Sequence, residues 1–276
     1  MSLMILDKGS VAALVGGLMA DYRVVGPQAK GPAFVFDTLA DPADLRLDYS
    51  TTILSPKVVL QPPRERLATF HMGGEPSVEP IVEAEPMVIM GVHTCDLHAI
   101  QLLDKVFSTD YPDANYLARR EQAVIVSIEC LQPCDEHSFC KDMGTLAADE
   151  GYDLNLTDLG DVYAVHVGTA AGGGLLEKHA DARPATEKDV KHLDEVLGAR
   201  WSRFKNRLAF DAAELPAMLA TAYEHPLWDE LGERCLACGS CTNVCPTCYC
   251  FYLYDQALSP REFERLRTWD LSLIHI

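Results

Sequence analysis

Met87-Val-Ile-Met-Gly-Val92, followed at once by His93-Thr-Cys95-Asp96-Leu-His-Ala-Ile100, decides how this chain is read. A continuous apolar run without alternation describes a strand covered on both faces. The next segment opens a helix, with Asp96 as its expected cap and Leu97, Ile100, Leu103, Val106 and Phe107 as its inner face. Ala123–Ile128 repeats the apolar run and ends at Glu129-Cys130. Strand, helix and strand in this order predict a parallel α/β unit. In open parallel sheets, ligands collect beyond the carboxyl ends of the strands. Cys95 and Cys130 both fall there.

Working outward, Ser10 is the expected cap of a helix with Val11, Leu14, Val15, Leu18 and Met19 on one face. Tyr22–Val25 and Ala33–Phe36 read as short strands separated by the turn-rich Gly26–Pro32. Ser55–Pro63 is too broken by proline for a central strand, which predicts an extended edge or a surface crossing. Val162–Val167 reads as a further strand and Gly168–Gly174 as a flexible turn, since its glycines lack the spacing of a dinucleotide fingerprint. Glu187–Tyr223 reads as largely helical, anchored by Trp201, Phe204 and Leu208.

The 276 residues include ten cysteines, four between positions 95 and 140 and six between 235 and 250. No stretch approaches a membrane span, and the start lacks the pattern of a secretory signal. Cytoplasm is therefore the expected compartment. There, clustered thiols serve metal or redox chemistry rather than disulfides. A net charge of −18 argues against nucleic acid.

Cys235-Leu-Ala-Cys238-Gly-Ser-Cys241-Thr-Asn-Val-Cys245-Pro246 has the C-x2-C-x2-C-x3-C-P spacing of bacterial-type ferredoxins. In that pattern the first three thiolates serve one [4Fe-4S] cluster and the fourth serves another. Zinc ribbons instead use paired, well-separated C-x2-C knuckles. Cys248 and Cys250 lie outside the pattern, as further ligands or as small packed cysteines. Upstream, Cys95, Cys130, Cys134 and Cys140 can converge from two strand ends on a third [4Fe-4S] cluster; ordinary packed thiols and zinc are the other readings. His93, His98 and His137 lie nearby, and satisfying loop backbone groups is their expected role. No triad, P-loop or paired-carboxylate site stands out, so no catalytic residue is expected.

The fold class expected is an α/β (α+β) N-terminal domain with a partly parallel sheet, then a truncated helical, ferredoxin-type 4Fe-4S domain. Its boundaries are 1–225 for the α/β domain with the cysteine site at its strand ends, and 226–270 for the first half of a dicluster domain. Leu271–Ile276 is expected to be a non-native, adapter-derived tail.

Gly91–Ile100, Cys130–Gly144 and Cys235–Cys250, with Ser55-Pro-Lys57 and Tyr116–Glu121, resemble the iron–sulfur beta subunit of cytoplasmic sulfhydrogenases and the related A subunit of anaerobic sulfite reductase. The resemblance runs over almost the whole chain. It implies an electron-transfer subunit working beside a flavin- and NAD(P)-binding subunit and a catalytic subunit. It also implies a second cysteine run beyond Arg267-Thr-Trp-Asp270. A self-sufficient flavin-containing reductase and a structural zinc module are the alternatives.

Overall fold

Every residue of strand β6 (Met87–His93) is buried, as its unbroken apolar sequence requires. The computed structural model describes residues 2–270, so the expected tail at 271–276 lies outside the described residues. Around β6 an eight-stranded mixed sheet is ordered β10-β1-β9-β8-β7-β6-β2-β3. Its strands are β1 (Leu3–Asp7), β2 (Arg23–Lys30), β3 (Ala33–Thr38), β7 (Ala123–Ile128), β8 (Leu154–Asp158), β9 (Val162–Val167) and the short β10 (Arg183–Pro184). β2, β6, β7 and β8 run parallel, and the outer pairings are antiparallel.

Alternate residues of the central strands feed two cores. Val88, Met90, Val126 and Ile128 pack on one face with α1 (Val11–Met19) and α5 (Ala170–His179). Met87, Ile89, Val92 and Ile125 pack on the other with α2 (Lys57–Leu60), α3 (Thr94–Ser108) and α4 (Ala114–Glu121). Helix α6 (Glu187–Arg203) buries Leu193 against Ile5 and Ala164. The chain then runs through α7 (Leu215–Thr221), α8 (Leu227–Arg234) and α9 (Ser240–Val244). No helix among the described residues is long and apolar enough to cross a membrane.

A second, antiparallel sheet is ordered β11-β12-β4-β5, from β4 (Arg64–His71), β5 (Ser77–Pro80), β11 (Phe251–Ser259) and β12 (Glu262–Trp269). The helical character expected of 226–270 therefore stops at α9. Beyond Cys250 the chain forms an antiparallel hairpin that turns at Pro260-Arg261. β12 also pairs with β4, so this segment completes a sheet begun near residue 64.

Other local expectations are corrected. Gly26–Lys30 is strand, paired with β3, and the turn falls at Gly31. Ser55–Pro63 contains the helical turn α2, for which Pro56 is a compatible start and Pro62-Pro63 a stop. Ser10 caps nothing with its side chain. Gly168–Gly174 opens helix α5, capped by Thr169. Gly172 permits that helix to approach β8 closely, since a Cβ there would lie 2.2 Å from the Asp153 carbonyl oxygen. Glu187–Tyr223 is interrupted between α6 and α7; Phe204 is buried but Trp201 is exposed.

Candidate metal centres

The first site forms where β6 and β7 end. β6 slips register against β7 between Met90 and Val92, and Gly91 at that slip has a φ of +73°. The Tyr49 hydroxyl donates to the Gly91 carbonyl at 2.7 Å, and its ring stacks on the buried His93 with centroids 4.1 Å apart. The chain enters α3 directly after His93, which makes Cys95 a first-turn residue. Asp96 is not the cap: His93 occupies that position, with no capping side-chain hydrogen bond. From the end of β7, the loop carrying Cys130, Cys134 and Cys140 folds back over the same place. The Thr94 hydroxyl donates to the Leu146 carbonyl at 3.1 Å, and His98 Nε2 meets the Ala147 carbonyl at 2.8 Å. His98 thus satisfies loop backbone, as expected, and His137 is exposed.

Helix α6 braces this loop from outside. Arg200 forms a buried ion pair with Glu129, to which Asn155 also donates at 2.8 Å. Arg203 donates to the Leu131 carbonyl at 3.2 Å, and the Lys141 ammonium donates to the carbonyls of Trp201 and Phe204 at 3.3 Å.

Cys95 and Cys140 lie within hydrogen-bonding reach, Cys130 and Cys134 lie near enough to interact with Cys140, and all four are half-buried. A hydrogen bond to Cys140, then burial, raises the Cys95 thiol, while Cys140 as the acceptor is lowered to about 7. Burial, then Cys134 and Cys140, raises Cys130. Burial pushes Cys134 up to about 11, with Cys140 adding to it. Burial lifts Asp96 to about 7 and lowers His93 to about 4. Three thiols that resist ionisation beside one that ionises readily are a donor set suited to a cation that takes up their charge. A cavity of about 340 Å³ opens beside Cys130 and Cys134, lined also by Tyr49, His93, Glu129 and Asp158.

The second site is the C-terminal run. α8 ends at Cys235, the loop turns at Ala237 (φ +50°) and Gly239 (φ +71°), and α9 ends at Cys245. Cys235, Cys238 and Cys241 are exposed, and Cys245 and Cys248 are half-buried. Several donors already surround these sulfurs. The Ala237 N–H points at Cys235 Sγ at 3.4 Å, and Cys238 Sγ and Ser240 Oγ lie 3.3 Å apart. Hydrogen bonds with Ser240 lower the Cys238 thiol. Burial opposes ionisation of Cys245, but hydrogen bonds from Thr247 and Cys248 and the Lys57 charge leave it lowered. Burial and Cys248 raise Cys250.

What sequence reasoning missed is the clamp beneath this run. Lys57 donates to the Cys245 and Cys248 carbonyls at 3.0 and 2.9 Å. Gln61 donates to the Tyr249 carbonyl at 3.3 Å, and Trp269 Nε1 donates to the Gln61 carbonyl at 3.0 Å. The only advance signal was Ser55-Pro-Lys57, visible as part of a family likeness but not as a contact.

Among the described residues, no three His, Cys, Asp or Glu side chains are placed to share one metal ion. The C-x2-C-x2-C-x3-C-P spacing of Cys235 to Cys245 is the donor pattern of [4Fe-4S] groups rather than the paired knuckles of zinc.

Residues 234–275 match the family model of the 4Fe-4S dicluster domain. The molecule is thus a mixed α/β protein with a partly parallel sheet and a C-terminal 4Fe-4S dicluster domain. Sulfhydrogenase 2 subunit beta of Pyrococcus furiosus is 35% identical to it over 249 residues, covering 90% of this chain and 72% of the relative. The chain belongs to the family of iron–sulfur sulfhydrogenase beta subunits. No solved structure matches it.

Proposed function

We propose that this chain is the electron-transfer iron–sulfur subunit of a multi-subunit cytoplasmic oxidoreductase of the hydrogenase/sulfur reductase or anaerobic sulfite reductase type. It relays single electrons between a flavin- and NAD(P)-binding subunit and a catalytic subunit. The observation that carries this reading is the pairing, in one chain, of a dicluster-type cysteine run with a second group of interacting thiols at the strand ends.

Cys235, Cys238 and Cys241 would hold one [4Fe-4S] cluster, Cys245 would contribute to a second, and Cys95, Cys130, Cys134 and Cys140 would hold a third. Bound there, such clusters supply one-electron chemistry with potentials tuned by burial and hydrogen bonds to sulfur. The chain's own part is to present thiolates, direct backbone and hydroxyl donors at them, limit water at the strand-end site and dock its neighbours. Residues 1–225 act as the α/β scaffold and 226–270 as the dicluster portion.

Anaerobic iron–sulfur reconstitution tests this. The expected product is brown, carries iron and acid-labile sulfide in equal amounts, and takes up one electron per cluster in a reductive titration. A colourless, zinc-loaded product, or one that releases flavin on denaturation and carries no labile sulfide, would overturn it.

A further inference from the structure

Among the described residues, buried cations come with carboxylates, with one exception. Arg119 pairs with Glu65, Arg200 with Glu129, and Arg267 with both Glu65 and Asp113. Lys57 is only 2% exposed, yet no ion pair to it exists among the described residues. Its ammonium is solvated by the Cys245 and Cys248 carbonyls and by the Trp269 ring face, 4.2 Å from the ring centroid. Carbonyls and a π face orient a cation without neutralising it. An unneutralised buried charge is strongly unfavourable unless an opposite charge sits within reach. Burial lowers the Lys57 pKa, and the groups whose charge opposes that and favours the cation are the thiols of Cys248, Cys245 and Cys250. Neutral thiols offer no counter-charge, whereas metal-bound thiolates do.

We infer that Lys57 is the fixed counter-charge of the iron–sulfur centre to which Cys245 contributes, and that its ammonium raises that centre's reduction potential. This rests on the proposed function only in requiring that the run hold such a centre. A positive charge held in a low-dielectric pocket favours the more negative, reduced state of its neighbour. Lys57 acts here as a positioning residue: it ties down the carbonyls of the loop that carries Cys245 and Cys248, and it is not itself a ligand. Its place on α2, beside the α/β scaffold, couples the run to the main sheet's helical layer.

The test compares Lys57→Met, Lys57→Gln and Lys57→Arg in the reconstituted full chain, by iron and sulfide content and by potentiometric titration. Met keeps the bulk, Gln keeps a donor, and Arg keeps the charge. With iron retained, the Met and Gln variants are expected to show a midpoint moved negative by about 59 mV or more, a tenfold change in a one-electron equilibrium constant. The Arg variant is expected to stay close to the parent. Loss of iron from Met and Gln but not Arg would equally support the role of charge. Normal iron with an unmoved midpoint in Met and Gln, or loss of iron in all three, would overturn it and leave the electron-transfer reading standing. A parent chain that retains no iron removes that reading, and this inference with it.

Discussion

At the scale of single residues, Gly91 controls how the strand-end site is aimed. Its left-handed backbone and the register slip beside it turn the chain at the point where β6 passes into α3. A Cβ added there would sit 2.9 Å from Leu47 Cδ2 and 3.2 Å from the Pro27 ring. Gly91→Ala therefore imposes both backbone strain and a contact that must give way. The expected loss is about 1–3 kcal/mol of unfolding free energy by urea titration. Because Cys95 lies four residues on, reconstituted iron at the strand-end site should fall as well. An Ala variant with parental stability would show that the turn tolerates a side chain. The neighbouring Cys95, Cys130, Cys134 and Cys140 were readable from sequence, since two apolar runs placed them at adjacent strand ends. Lys57 was not: its meaning depends on a loop almost 190 residues away.

At the scale of elements, the second sheet is fastened by charge. Arg267 on β12 lies between Glu65 on β4 and Asp113 at the start of α4, with Arg267 Nε donating to Glu65 Oε1 at 2.7 Å. Arg119 on α4 joins Glu65 at 2.9 Å. Arg267→Met leaves two carboxylates facing Arg119 alone. The expected cost is about 3–5 kcal/mol, the range for removing one partner of a buried pair. Its pH dependence has a definite sign. Burial raises Asp113, but the hydrogen bond and charge of Arg267 outweigh it, and its pKa is lowered. Stability from this link is then complete above the unfolded value of about 3.9 and is lost as pH falls through the lower folded value. The stability gap between parent and variant should be full at neutral pH and shrink below about 4; a gap that stays constant there would contradict the assignment. A smaller element-level effect is expected at α6, where Thr186 and Asp189 form a reciprocal capping box. Thr186→Ala should cost about 1 kcal/mol, read from the same urea curves. Elements of this kind differ in how visible they are in sequence. β6, β7, β9 and α3 announce themselves through local apolar periodicity. The β4–β12 pairing joins positions separated by about two hundred residues, and β11 is largely exposed, so no local pattern marks either. Glycines hid α5 and prolines hid α2, because propensity is local while close packing, as at Gly172, is not.

Across the whole molecule, α3 relates the two cysteine sites. Cys95 lies in its first turn, and Phe107 near its end meets Tyr249, between Cys248 and Cys250, with ring centroids 6.3 Å apart. Twelve residues of helix at 1.5 Å each separate Cys95 from Phe107 by about 18 Å. One site is folded into the main sheet and braced by α6, while the other rests on α2 and the second sheet. Among the described residues the two sites share no hydrogen-bond partner, and sites so separated respond to substitution independently. Cys140→Ser is therefore expected to remove about four irons, one [4Fe-4S] group, and leave the run's redox signature unchanged. Cys238→Ser should remove the run's own iron and leave the strand-end signature in place, and the double variant should lose the sum. Iron counts matched to electron-paramagnetic-resonance spectra of the three variants decide the matter. If Cys140→Ser keeps all its iron, the four upstream thiols are packing cysteines. If either single variant abolishes both signatures, α3 transmits the damage, and the two sites form one cooperative unit rather than two stations on a relay.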